Sequence, residues 1–211
     1  MHSETMEKSR LEALSDGIFA FAMTLLVISL TVPVIPKEEA PGLLPPLIIK
    51  IFPEFVIFSI AFFILAGYWL SHHRILRSIR YVDNRLIWIN ILLLFFVVLI
   101  PFSTSISGDY DNVLMAVLLF HINLLCASTL LTILWFYTRE HRDTLNPGET
   151  MVHRLERSGL IRAIVFPVVA VLAIAVSFFD PSNSMLCYLL IPPAIGVMKW
   201  IYGRNRGIPH P

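Results

Sequence analysis

Apolar residues in this chain run in long blocks rather than alternating along the sequence, and six of the blocks approach the ~20 residues that carry a helix across a bilayer. The blocks predict transmembrane helices at roughly 13–32, 51–70, 86–105, 113–137, 160–179 and 185–202. The stretch 36–50 is interrupted by Pro41, Pro45 and Pro46, with Lys50 and Glu54 four apart. It reads as an interfacial lead-in, the hydrocarbon portion of the second span beginning later. The first block is too long for the apolar region of a cleaved signal peptide, and further spans follow it. No connection is long enough to form a soluble unit, so residues 1–211 are expected to make a single all-α membrane domain.

Composition agrees with a lipid solvent. Hydrophobic residues make up 56% of the chain and charged residues only 15%, more apolar surface than a core of this size could hide from water. A net charge of +1 leaves no basic face for nucleic acid. Cys126 and Cys187 both lie in apolar runs and read as small hydrophobes, giving neither a disulfide framework nor a zinc set. The basic residues segregate. Lys8 and Arg10 precede the first span, Arg74, Arg77, Arg80 and Arg85 fill the second connection, Arg139, Arg142, Arg154, Arg157 and Arg162 the fourth, and Lys199, Arg204 and Arg206 end the chain. Lys37 and Lys50 stand on the other side, beside Glu38, Glu39, Asp109, Asp111 and Asp180. The positive-inside bias therefore predicts a multi-pass protein of the cell membrane with both termini cytoplasmic.

The first span has a polar entrance that an anchor does not need: Arg10, Ser15 and Asp16 lead into Gly17 and the apolar run to Val27. On a helical wheel at about 100° per residue, with Phe21 as reference, Thr24, Leu25 and Ile28 fall within about 60° and Gly17 within about 40°. Phe19, Met23, Leu26 and Leu30 take the opposite side, and Asp16 lies about 140° from Phe21, directed toward helices of its own subunit. Ordinary helix packing produces such a stripe. A ring of identical helices would also present it to a central axis, where Phe21, Leu25 and Ile28 would make necks that gate ions by dewetting and Thr24 would supply a hydroxyl. Periodicity alone leaves both readings open.

Charged groups deep in a bilayer cost at least about 2.5–3.5 kcal/mol, so Arg10 and Asp16 call for partners or interfacial water. His72, His73, Asn84, Arg85 and Asn90 are expected at the same depth and predict an intrasubunit polar network at the root of the first helix. The simpler alternative is that Ser15 or Asp16 caps the helix start, worth about 1 kcal/mol. His72 and His73 are adjacent and point to different sides of a helix, which argues against a metal pair. There is no Gly-rich phosphate loop, no His-Glu-x-x-His and no spaced nucleophile and base, so neither an enzyme nor a bound cofactor is expected.

Arg10, followed after three residues by Leu14-Ser15-Asp16 and then Gly-Ile-Phe-Ala-Phe-Ala-Met-Thr-Leu-Leu-Val, resembles the Arg-x-x-x-Phe-Ser-Asp signature on the first helix of the transmembrane protein 175 family. The segments Trp69-Leu70-Ser71-His72-His73-Arg74 and Leu99-Ile100-Pro101-Phe102 resemble it as well. The family's animal members are lysosomal potassium channels. The resemblance implies a homotetramer of six-helix subunits in which copies of the first helix line the pore, without a re-entrant loop. It further implies Phe21, Leu25 and Ile28 as apolar constrictions, Thr24 as the pore-facing threonine, and Arg10, Ser15 and Asp16 as the signature, potassium being the permeant ion. Leu14 stands where the signature has Phe, and Phe21 where the family typically has Ile or Leu, which would make a tighter neck. Selectivity would come from partial dehydration there, because no Thr-Val-Gly-Tyr-Gly filter is present.

The rival class is a proton- or cation-coupled transporter, motivated by His121 and Asn123 within the fourth span, which could line a substrate path or hydrogen-bond a neighbouring helix. A structural membrane subunit without conduction is a third.

Overall fold

In the computed structural model, which describes residues 7–30, 34–147 and 153–204, each apolar block is mainly helical over its described residues. We label the main helices α1 (Lys8–Leu25), α2 (Ala40–Arg77), α3 (Asn84–Asp109), α4 (Leu114–Glu140), α5 (His153–Ser177) and α6 (Ile191–Arg204). Among the described residues six stretches are long and apolar enough to cross a bilayer: Lys8–Ile28, Ala40–Arg77, Asn84–Asp109, Leu114–Glu140, Gly159–Ser177 and Pro181–Ile201. A helix closes its own backbone hydrogen bonds, which is why lipid admits this element for each block.

Three local expectations are revised. The proline-bearing stretch before the second span is not broken off from it, because α2 runs unbroken for 38 residues, with Pro45, Pro46 and Pro53 inside it. Pro41 falls in the first turn, where its missing N–H has no partner to lose, and the next prolines lie in turns exposed outside the packed core, which begins at Ile57. At about 1.5 Å per residue α2 is about 57 Å long, well beyond a hydrocarbon layer of about 30 Å. At the end of the first span α1 tightens into a 3₁₀ turn at Leu26–Ser29, and the expected end at residue 32 lies outside the described residues. The sixth span, expected from residue 185, is entered earlier through a helical turn at Pro181–Ser184 and a 3₁₀ stretch at Met185–Leu190. Pro192 and Pro193 remove the N–H groups that would bond the carbonyls of Tyr188 and Leu189, and the tightened winding immediately precedes them.

α4 is the centre of the bundle, packed most extensively on α3 and α5, while α1 rests mainly on α3 and α2. The core includes Leu65, Tyr68, Leu93, Val97, Phe120 and Leu124, all fully or almost fully buried. Tyr68 donates from its hydroxyl to the Leu124 carbonyl at 3.0 Å and lays its ring edge against Phe166, tying α2 to α4 and α5. The outward faces stay apolar, with Phe63, Phe95, Phe102 and Val168 exposed, a surface suited to lipid.

The arginine-bearing end of the bundle is tied by its loops. The backbone N–H groups of Arg80 and Tyr81 both donate to the Leu145 carbonyl, at 2.8 and 3.0 Å, and Asn146 donates to the Ser78 carbonyl at 3.0 Å. Asp83 caps α3 by accepting from the Leu86 N–H at 2.8 Å, and its other oxygen accepts from the Tyr137 hydroxyl of α4. Asp83→Ala should therefore cost about 1–2 kcal/mol. It should lower the thermal midpoint in detergent more than Tyr137→Phe, which leaves the cap intact.

Candidate functional site

α1 has two sharply different sides. Leu11, Ser15, Phe19, Ala22 and Leu26 are buried against α2 and α3, whereas Phe21 is 61% and Ile28 72% exposed within the subunit. Gly17 and Thr24 are exposed on that same outer face, and Leu25 is half-buried at its edge. The Thr24 hydroxyl donates to the Phe21 carbonyl at 2.8 Å, so its proton is committed and its oxygen remains an acceptor.

Behind the buried side lies a directional chain of hydrogen bonds. The Ser15 hydroxyl donates to the Leu11 carbonyl at 2.8 Å and accepts from Asn90 Nδ2 at 3.1 Å. Asn90 Oδ1 is 2.6 Å from His72 Nε2. Because Asn90 uses its amide toward Ser15, its oxygen faces the imidazole, and His72 donates from Nε2. The chain thus runs from α2 through α3 to α1, with all three residues buried, and Phe19 stacks at a tilt on the His72 ring at 5.5 Å.

The remaining predicted residues lie around this chain. Asp16 Oδ1 accepts from the Trp69 indole N–H at 2.8 Å, and the Trp69 ring lies 5.8 Å from that of His73. Arg10 is exposed, and its guanidinium makes no hydrogen bond or ion pair with a described residue, only its backbone N–H donating to the Glu7 carbonyl at 3.0 Å. Asn84 and Arg85 are exposed and do not join the chain. The capping alternative for Ser15 and Asp16 is corrected: α1 begins at Lys8 after Glu7, which puts both residues well inside the helix. Residue-by-residue reading missed Trp69 as the partner of Asp16. Its position three before His72 is the available signal, since residues three apart share a helix face.

The intramembrane polar groups of α4 point inward and are bonded. His121 lies 3.0 Å from the Tyr188 hydroxyl through Nδ1 and 2.9 Å from Ser184 Oγ through Nε2. Ser184 spends its proton on the Pro181 carbonyl, so Nε2 donates to it and Nδ1 accepts from Tyr188, leaving a neutral ring with both nitrogens engaged. Asn123 Nδ2 donates to Ser103 Oγ at 3.1 Å, and its Oδ1 has no partner among the described residues. No group of three or more His, Cys, Asp or Glu side chains suited to a metal ion occurs among the described residues.

Six membrane-length helices around a polar latch define a multi-pass membrane protein whose first helix bears an uncovered apolar stripe. Residues 10–101 match the family model described as the endosomal/lysosomal potassium channel TMEM175. The chain is 36% identical over 107 residues to a potassium channel from Chamaesiphon minutus, 51% of this chain and 52% of the relative. It is 33% identical over 104 residues to one from Streptomyces collinus, 49% of each. These matches span about half the length of the relatives. Over 90% of this chain and 97% of the other, the fold matches the crystal structure of a lysosomal potassium-selective channel TMEM175 homolog from Chamaesiphon minutus, with a TM-score of 0.74 and 26% identity. The likeness to TMEM175 channels is thus one of sequence over residues 10–101 and one of fold over most of the chain.

Replacing Asn90 with Ala removes an acceptor for His72 and a donor for Ser15 together, leaving buried polar groups unpaired. The expected loss is about 2–4 kcal/mol, read as a lower thermal midpoint in detergent. Trp69→Phe, which frees only the exposed Asp16, should cost about 1 kcal/mol or less.

Proposed function

We propose that the protein is a cation channel favouring potassium, assembled as a homotetramer in the cell membrane with copies of α1 around a central axis and both termini cytoplasmic. The observation that carries this reading is the two-sidedness of α1, locked to its own subunit along Leu11, Ser15, Phe19, Ala22 and Leu26 while Phe21, Thr24 and Ile28 stay uncovered. Around an axis, Phe21, Leu25 and Ile28 form successive apolar necks that exclude ions when dry and pass them when dilated. The Thr24 oxygen, its proton held by the Phe21 carbonyl, replaces part of a cation's hydration. Potassium is the ion named for the relatives from Streptomyces collinus and Chamaesiphon minutus, which supports the same choice here.

The buried chain of Ser15, Asn90 and His72 sets the rotation of α1 about its own axis, and the stripe reaches the axis only at that rotation. Asp16, Trp69 and His73 brace the same end from outside the core, and Arg10 adds a positive charge at the cytoplasmic entrance. Selectivity is modest, because side chains at an apolar neck do not reproduce a hydration shell as a carbonyl filter does. The coupled-transporter reading is less favoured: both nitrogens of His121 are bonded within the subunit, to Tyr188 and Ser184, as a tie between helices requires.

Planar-bilayer recording with opposed potassium and sodium gradients tests this reading. The reversal potential should move toward the potassium equilibrium value. Phe21→Ala should raise unitary current several-fold, Leu25→Ala should raise it less, and Thr24→Val should weaken the preference for potassium over sodium. A reversal potential indifferent to both cation gradients overturns the channel, and slow saturable flux abolished by His121→Ala would establish the carrier instead.

A further inference from the structure

Between α2, α4 and α5, at the arginine-bearing end of the bundle, lies a cavity of about 110 Å³ whose lining includes Arg74, Arg139 and Arg162 beside Ile75, Leu131 and Phe166. Its hydroxyls are already occupied as donors. Ser71, Ser78, Ser128 and Thr138 each donate to a carbonyl of the preceding turn, and Thr132 donates to the carbonyls of Ser128 and Ala163. The donors left over are the guanidinium groups and the Trp135 indole N–H. Among the described residues no carboxylate lies within salt-bridge distance of these arginines.

Arg162 is the most telling of them, because it lies within the apolar Gly159–Ser177 span and is half-buried, where an unpaired charge is costly. Arg139 sits 5.5 Å from the Trp135 ring centroid, which orients its guanidinium but does not neutralise it. Gly159 admits the indole to the cavity wall: a Cβ at that position would clash with Trp135 Nε1. Positive charge with no acid paired to it among the described residues, next to an apolar wall at the membrane edge, fits one chemistry.

We propose that this cavity binds the headgroup of an anionic phospholipid, its phosphate held by Arg139 and Arg162 at the Arg74 side of the bundle and its acyl chain lying along Ile75, Leu131 and Phe166. The positive-inside bias puts this end at the cytoplasmic leaflet. The site is separate from the α1 stripe, and its occupancy does not depend on the channel reading.

Thermal unfolding of the purified full-length protein in dodecyl maltoside, titrated with phosphatidylglycerol, phosphatidylcholine or inorganic phosphate, tests the site. Phosphatidylglycerol should raise the midpoint saturably, and the other two should not. Arg162→Gln or Arg139→Gln should weaken the apparent affinity about tenfold, while Arg80→Gln, at the same end but outside the cavity, should leave it unchanged. Equal stabilisation by phosphatidylcholine means an unspecific lipid effect and overturns the proposal, and stabilisation by inorganic phosphate alone means a soluble anion and overturns it as well. An Arg80→Gln loss as large as that of the cavity arginines reduces the effect to general surface charge. If Arg162→Gln does not fold, Arg139→Gln decides.

Discussion

Ser15 has to satisfy a buried hydroxyl on the side of its helix that packs against protein and is closed to water. Its proton goes to its own backbone, so its oxygen must be met from a neighbour, and Asn90 of α3 meets it while accepting a hydrogen bond from His72 of α2. This chain holds α1 in one rotation against two other helices. Apolar packing against lipid discriminates poorly between rotations, since an apolar side chain is equally content on either face, whereas a buried donor without its acceptor costs about 1–3 kcal/mol. The uncovered stripe of Phe21, Thr24 and Ile28 is therefore a consequence of what α1 commits inward.

The same principle organises the rest of the bundle. Tyr68 ties α2 to α4, His121 ties α4 to Tyr188 and Ser184 ahead of α6, and Asn123 ties α4 to α3. Each junction uses a group that would be expensive to leave unpaired in the membrane interior. At the arginine-bearing end the arrangement changes, and donors there outnumber acceptors around the cavity between α2, α4 and α5. Most buried polar groups of the interior find partners within the subunit, whereas Arg74, Arg139 and Arg162 at this edge have no paired carboxylate among the described residues.

These arrangements separate two kinds of work within one subunit. A rigid inner seam fixes α1, and an adaptable outer face is left for other copies of the chain in the proposed assembly. The exposed Phe21 carries a bulky phenyl ring, and the exposed Gly17 one turn earlier leaves backbone within reach of whatever covers that face.

Most of the architecture was legible in the chain because lipid makes length and polarity nearly sufficient: an apolar block of about 20 residues has few options other than a spanning helix. The unbroken α2 and the tightened entry to α6 were not, since whether a proline ends a helix depends on what surrounds the carbonyl it leaves unpaired. Within the site, periodicity separated the Phe21 stripe from the Phe19 side, because a helix wheel is a local property of sequence. Which side the subunit covers was decided only by tertiary structure, as were the Trp69 partner of Asp16 and the convergence of Arg74, Arg139 and Arg162. Those depend on contacts between residues on different helices, Asp16 and Trp69 being 53 positions apart, and local spacing carries no information about which distant helix arrives alongside.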